Sequence, residues 1–300
     1  MLASVAIFVA LLFACPAIAC ADTGGVRAVP GELWRAWNLD PLVLFNLGLL
    51  IVIYRRGLWR LWSQAGRERV RRSNAAAFVA SIALLALVLL SPLDALSEEL
   101  SAAHMVQHML LMLVAAPLFA LGSPALVLPL GMPRGWRRWV DFRLVAPLAL
   151  WKPAVTFGIF ALTLWGWHHP LLYQAALRDG LVHDAQHLSF FAAAFLYWRV
   201  VLAPWSKRRL HAAAAVPYLF ATSLHASVLG IFLALAPAPW YADYVGRTAA
   251  WGLTPLEDQQ LAGLIMWVPA CLVYPAVAAL QLAIWLSSDE RMPVARRAAA

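Results

Sequence analysis

Cysteine is nearly missing from this chain. Only Cys15, Cys20 and Cys271 occur in 300 residues. With Cys15 inside an expected leader, the remaining two do not make a disulfide framework. Charge is scarce as well. Asp, Glu, Lys and Arg together make up 13% of the residues, about half the share found in soluble domains, so an ordinary soluble fold with one core is excluded. No internal repeat, phosphate-binding glycine loop or low-complexity linker is present, which removes nucleotide-driven enzymes and multi-domain arrays from consideration.

What the chain has instead is apolar sequence, 63% of it, with a mean hydropathy of +0.73. An all-α membrane protein follows. Crossing about 30 Å of hydrocarbon takes roughly 20 helical residues. Runs of about that length lie near 37–54, 75–91, 104–121, 153–169, 184–202, 214–236 and 260–286, which predicts seven transmembrane helices. Residues 2–19 form a further apolar run ending in Ala17, Ile18 and Ala19, a pattern of signal-peptide cleavage. Residues 1–19 are therefore read as a removed leader and 20–300 as one transmembrane domain; the lack of Lys or Arg before the run leaves an uncleaved eighth helix as the alternative.

Basic residues fall in alternate connections. Arg55, Arg56, Arg60, Arg67, Arg69, Arg71 and Arg72 follow the first span, and Arg134, Arg137, Arg138, Arg143 and Lys152 the third. Arg199, Lys207, Arg208 and Arg209 close the fifth, and Arg291, Arg296 and Arg297 end the chain. By the positive-inside rule these segments are cytoplasmic, placing the mature N-terminus outside and the C-terminus inside. The net charge of +8 thus reports membrane topology and lipid contact, and no nucleic acid partner is expected.

Six of the eight histidines then gather at the outer end of the spans: His104 and His108, His168 and His169, His183 and His187. Histidine in a bilayer is costly unless it is paired or bound. His104 and His108 are four residues apart, hence on nearly the same helical face. The H-D-A-Q-H of residues 183–187 repeats the H-M-V-Q-H of residues 104–108 at matching depth. Met109 and Met112 lie on or beside the first pair's stripe, and Met266 sits two turns inside the seventh span, whose start is Asp258, Gln259 and Gln260.

Two imidazoles at i, i+4 can share one metal, and facing helices can complete it. Imidazole suits Cu, Zn, Fe and Ni, while thioether selects Cu(I), so the set favours copper. Asp184 or Asp258 could fix a ligand's tautomer by accepting its second ring N–H. Zinc with an activated water, as in an intramembrane hydrolase, stays open on these residues, as does a b-type haem held by His108 and His187. Interfacial histidines and gap-filling methionines are the plain alternatives. His225, mid-span in the sixth helix, is either functional or hydrogen-bonded to a neighbouring helix, His211 is a solvated basic-loop residue, and Cys271 is a small packing residue.

Five stretches carry a family resemblance: H-M-V-Q-H-M-L-L-M from His104 with Ala116, Pro117 and Leu118 following; W-H-H-P from Trp167 with Tyr173; H-D-A-Q-H-L-S-F-F from His183; Leu229 and Gly230 ahead of Trp240 and Tyr241; and D-Q-Q-L-A-G-L-I-M-W from Asp258. Together they resemble the CtaG-type assembly factors of caa-type cytochrome c oxidases, over about residues 38–286. The resemblance implies a non-enzymatic role in the bacterial cytoplasmic membrane, maturing haem–copper oxidase subunits by handling copper on the outer side. Its characteristic residues would be His104, His108, His168, His183, His187, Asp258, Gln259 and Gln260. A Cys-x-x-x-Cys copper motif is missing, so transfer through a cysteine pair is not expected.

Overall fold

Proline and polar caps set where each helix begins. The computed structural model describes residues 28–65, 69–133, 135, 152–204 and 209–290. The expected leader, Cys15, Cys20, and the basic positions Arg27, Arg67, Arg134, Arg137, Arg138, Arg143, Lys207, Arg208, Arg291, Arg296 and Arg297 lie outside these residues. The described chain is helical, without strands: α1 (Pro41–Ala65), α2 (Arg72–Leu90), α3 (Pro92–Glu99), α4 (Ser101–Leu121), α5 (Pro124–Gly131), α6 (Pro153–His168), α7 (Pro170–Arg178), α8 (Gly180–Leu202), α9 (Ala212–Ala234) and α10 (Pro255–Glu290).

Six of these helices start at Pro, whose missing N–H is no loss in a first turn. Side chains satisfy other first-turn N–H groups. Asp40 Oδ1 accepts from the backbone N–H groups of Leu42 and Val43, and Asp179 Oδ1 accepts from those of Leu181 and Val182. Thr254 and Glu257 form a reciprocal capping box at the start of α10.

All seven expected apolar runs fall on helices. Among the described residues five helices are long and apolar enough to cross a membrane: α1, α2, α4, α9 and α10. The other two, α6 and α8, carry His168, His183 and His187. α6 has 16 residues, about 24 Å at 1.5 Å per residue, and α8 bears His183, Asp184, Gln186, His187 and Arg199. One boundary differs from expectation. Arg55, Arg56 and Arg60 belong to the last turns of α1 rather than to a loop, since long basic side chains reach out from a helix that continues beneath them; Arg60 Nη1 donates to the Leu130 carbonyl near the end of α5, 2.6 Å away.

One contiguous cluster of buried apolar side chains joins Leu47 in α1 to Ala278 in α10. Large apolar residues also stand on the outside, with Leu162 76% and Leu272 64% exposed, as a lipid-facing surface requires. Cys271 is on that outer surface too, its Sγ 3.1 Å from Ser227 Oγ; it is not a core packing residue as expected, because its depth along α10 says nothing about which way it faces.

α9 and α10 are tightly apposed because two glycines meet where they cross. A Cβ on Gly263 would run into the backbone N of Ala234, and one on Gly230 would lie 2.9 Å from that of Trp267. Backbone cannot give way as a side chain can, so Gly263→Leu forces the helices apart. The expected result is a clear drop in thermal unfolding temperature of the detergent-purified protein, matching a cost of about 1–3 kcal/mol or more for overpacking. Gly48→Ala, where nothing lies within 4 Å, is the neutral comparison.

α4 is not a uniform helix. Leu110–Ala115 is a π segment in which the N–H of Ala116 reaches the carbonyl of Leu111. The cause is two residues on: Pro117 has no N–H to offer the Leu113 carbonyl, and its ring would clash with that carbonyl in an α-turn. Side chains take up carbonyls nearby. Trp198 Nε1 donates to the Met112 oxygen at 2.8 Å and Ser81 Oγ to the Ala115 oxygen at 2.8 Å.

Candidate metal centre

The start of α4, the start of α8 and the end of α6 meet at one end of the bundle, beside the start of α10. α6 stops at His168 because Pro170 disfavours helical backbone at His169, which adopts φ −65°, ψ 130°. The i, i+4 spacing of His104/His108 and of His183/His187 turns each pair to one side of its helix, and these sides face each other.

The rings converge. Centroids are 4.2 Å apart for His104–His108 and for His183–His187, 5.4 Å for His104–His183 and His108–His187, and 6.0 Å for His104–His187. One nitrogen each from His104, His183 and His187 lies within 4.8 Å of the other two. Nitrogens sharing an ion at 2.0–2.1 Å stand about 3.3–3.6 Å apart, so small side-chain rotations close the set. His168 stands on the far side of His108, with a centroid separation of 6.3 Å.

Burial makes this group unusual. His104 and His108 are 0% exposed, yet His104 Nδ1, both nitrogens of His108 and His187 Nε2 have no hydrogen-bond partner among the described residues. A buried polar atom without a partner costs about 1–3 kcal/mol, and four within one cluster call for a ligand. His183 alone is partly exposed and forms the mouth, with the Asp94 carboxylate as its electrostatic neighbour. Among the described residues no carboxylate enters the cluster, so its donors are imidazoles, a set that fits Cu or Zn and not Mg or Ca.

The surrounding groups fix the rings. Gln186 Oε1 lies 3.2 Å from His104 Nε2 and holds that ring from α8. His168 Nδ1 donates to the Leu164 carbonyl at 2.6 Å, leaving Nε2 facing the Met105 sulfur at 3.5 Å. Gln107 donates to the Val88 carbonyl and to Asp94 Oδ1, which ties α4 to α2 and α3. The Tyr173 ring lies 5.0 Å from that of His104, stacks on Tyr241 at 3.8 Å, and its hydroxyl is 3.2 Å from that of Tyr244.

Asp258 does not hold a histidine. Its carboxylate accepts from the Ser101 N–H at 2.7 Å, the Ser101 hydroxyl at 2.7 Å and the Ala102 N–H at 3.0 Å. It thereby caps the helix that carries His104 and His108. Gln259 Oε1 accepts from the Trp240 N–H, fastening the segment after α9. Gln260 is half-buried and Asp184 exposed, and neither has a hydrogen bond that brings it to the rings. His169 is exposed and caps α7 through the Leu171 N–H. His225 accepts from Trp165 Nε1 at 3.4 Å and packs beside Phe157 and Phe160, one helix removed from the cluster. Met109, Met112 and Met266 are buried and line a small cavity next to it.

Sequence reasoning brought the five converging histidines forward but assigned no site role to Gln186, Gln107, Met105 or Tyr173. The glutamines had a visible signal. H-x-x-Q-H occurs twice with Gln in the same place; Gln186 bonds His104, while Gln107 anchors the histidine-bearing helix to its neighbours.

Neither alternative chemistry gains from this geometry. A hydrolase needs a free carboxylate beside the metal as general base, whereas Asp258 is engaged by three donors and Asp184 faces outward. A haem between His108 and His187 would need its macrocycle where the rings of His104 and His183 are packed.

The fold and the cluster define an all-helical membrane protein with buried, converging histidines at one end of its bundle. Residues 52–288 match the model of the cytochrome c oxidase caa3 assembly factor family, Caa3_CtaG, and the chain belongs to that family. No curated protein and no solved structure matches the chain.

Proposed function

We propose that this protein takes up copper at the histidine centre on the outer side of the bacterial cytoplasmic membrane and supplies it to a haem–copper oxidase subunit during assembly. It acts as an assembly factor and not as an enzyme. The observation that carries the reading is the set of four unpartnered, buried imidazole nitrogens on facing helices. His183 at the mouth makes first contact with the incoming ion, His104 and His187 complete a three-nitrogen site, and His108 with His168 offers the next position inward.

This reading includes the finer topology: seven spans, with α6 and α8 crossing alongside the five longer helices, the leader removed, and basic segments held at the cytoplasmic face. The polar span α8 is shielded by its neighbours; its 12 buried residues include His187 and Arg199.

The test uses the full chain purified from copper-supplemented membranes, with bound Cu and Zn measured by mass spectrometry. The oxidase from a strain lacking this protein is analysed for Cu per haem in parallel. Copper at one ion per chain or more, together with an oxidase deficient in copper but not in haem, is the expected result. A copper-free protein, or a fully metallated oxidase in the deletion strain, overturns it.

A further inference from the structure

Beside the histidines lies a cavity that oxidase-linked copper uptake through nitrogen ligands does not use. Three of its walls are methionines: Met109 and Met112 from α4, and Met266 from α10, closed by Phe160, Leu164 and Tyr274. The three are 8%, 2% and 0% exposed. Methionine is flexible and ordinarily fills irregular gaps in a core. Here three of them line the same small gap. The wall is apolar, so water, which needs two to four polar partners, is a poor occupant.

The cavity is connected to the histidine centre by covalent neighbours and contacts. Met109 follows His108 directly in the chain, and Met112 is about one turn further along α4. Leu164 lines the cavity with its side chain and holds His168 Nδ1 with its carbonyl. On the other face of His168, the Met105 thioether touches Nε2. Donor type therefore changes in order along this line, from imidazole alone, through an imidazole next to a thioether, to thioether alone.

Thioether sulfur is a soft, uncharged donor that selects Cu(I) over Cu(II) and Zn(II). A monovalent ion also brings the smallest charge into hydrocarbon. We propose that Met109, Met112 and Met266 form a second metal site, specific for Cu(I), in series with the histidine centre. This inference deepens the copper reading above. The histidine centre accepts ions that imidazole binds, zinc among them, while the methionine site passes on only reduced copper. Copper arrives there already as Cu(I), and no electron transfer is assigned to the chain.

The experiment uses the full chain in detergent in a cysteine-free background (Cys15→Ser, Cys20→Ser, Cys271→Ser), taken as the wild type of the comparison so that no thiol competes; Ag(I), a redox-inert soft ion, and Zn(II) are the separate ligands. Wild type is expected to bind about one more equivalent of Ag(I) than of Zn(II), with sulfur neighbours in its Ag X-ray absorption. Replacing all three residues (Met109→Leu, Met112→Leu, Met266→Leu) keeps volume nearly constant. That variant should lose the extra Ag(I) and its sulfur signal yet retain Zn(II), which also shows that it is folded. A double variant, His104→Ala with His187→Ala, should do the reverse, losing Zn(II) and keeping sulfur-bound Ag(I). Equal Ag(I) binding by wild type and the Leu variant, or an Ag spectrum without sulfur, overturns the methionine site. Sulfur-bound Ag(I) with no Zn(II) or Cu(II) bound by wild type would uphold it and overturn the histidine centre instead.

Discussion

Replacing His187 with alanine should abolish stable copper binding and reduce oxidase maturation to the level of a strain lacking the protein, and His104→Ala should do the same. Each removes one of three nitrogens that already lie within 4.8 Å of one another. Loss of a group that merely supports a ligand costs about 10–100-fold in metal affinity, so loss of a ligand from a three-nitrogen set should exceed about 100-fold. Stability should change less than binding. His187 Nε2 is buried without a hydrogen-bond partner, and relief of that cost offsets part of the cavity the ring leaves, whereas His104→Ala also strands Gln186 Oε1 and should melt lower. A His187 variant that melts close to the wild-type temperature in the metal-free state, yet fails to retain copper, is the signature of a binding residue. A variant that melts lower and still binds copper at wild-type affinity would assign His187 to structure. His169→Ala is the comparison, since His169 is exposed and caps α7; it should leave binding unchanged.

The next largest effect is expected at Asp258, and it should differ in kind. Asp258→Leu strands the N–H groups of Ser101 and Ala102 and the Ser101 hydroxyl in a buried position. Caps of this sort contribute about 0.5–2 kcal/mol, and each buried group left unpaired costs about 1–3 kcal/mol. The unfolding temperature should fall by several degrees. Copper affinity should also fall, by roughly the 10–100-fold typical of residues that orient ligands, because the first turn of α4 sets the direction of His104. Asp258→Asn keeps an acceptor oxygen and should recover much of the stability. Thermal unfolding and competitive copper titration of both variants separate the two outcomes. If Asp258→Leu binds copper as wild type does, Asp258 has no part in positioning the histidines.

The sequence carried more of this architecture than of its connections. Each apolar run fell on a helix because hydrocarbon imposes length and internal hydrogen bonding together, leaving few options. The convergence of His104, His108, His183 and His187 was legible for a related reason: two i, i+4 pairs at the same depth on separate helices have few places to point. Facing was harder. Cys271 and Asp184 lie at the expected levels yet look outward, since hydrophobicity that is high all round a helix carries no direction, and α8 is apolar on nearly every side below its first two turns. Asp258 was expected near a ring nitrogen but caps α4, a long-range contact across 157 residues that no local pattern encodes. His225 was legible as an oddity only; its Trp165 partner is 60 residues away.

The widened turn at Leu110–Ala115 has a consequence for how this protein can vary. The half of α4 that presents His104 and His108 and the half that packs Phe119 against Phe78, Phe191 and Phe195 are phased separately, with a supernumerary residue between them. Amino-acid exchanges there leave that phase alone, but losing a single residue would swing one half by about 100° relative to the other. Either the imidazoles or the aromatic packing would then be lost. The segment is thus constrained by its residue count more than by its composition, a rule that natural variants of the protein must obey.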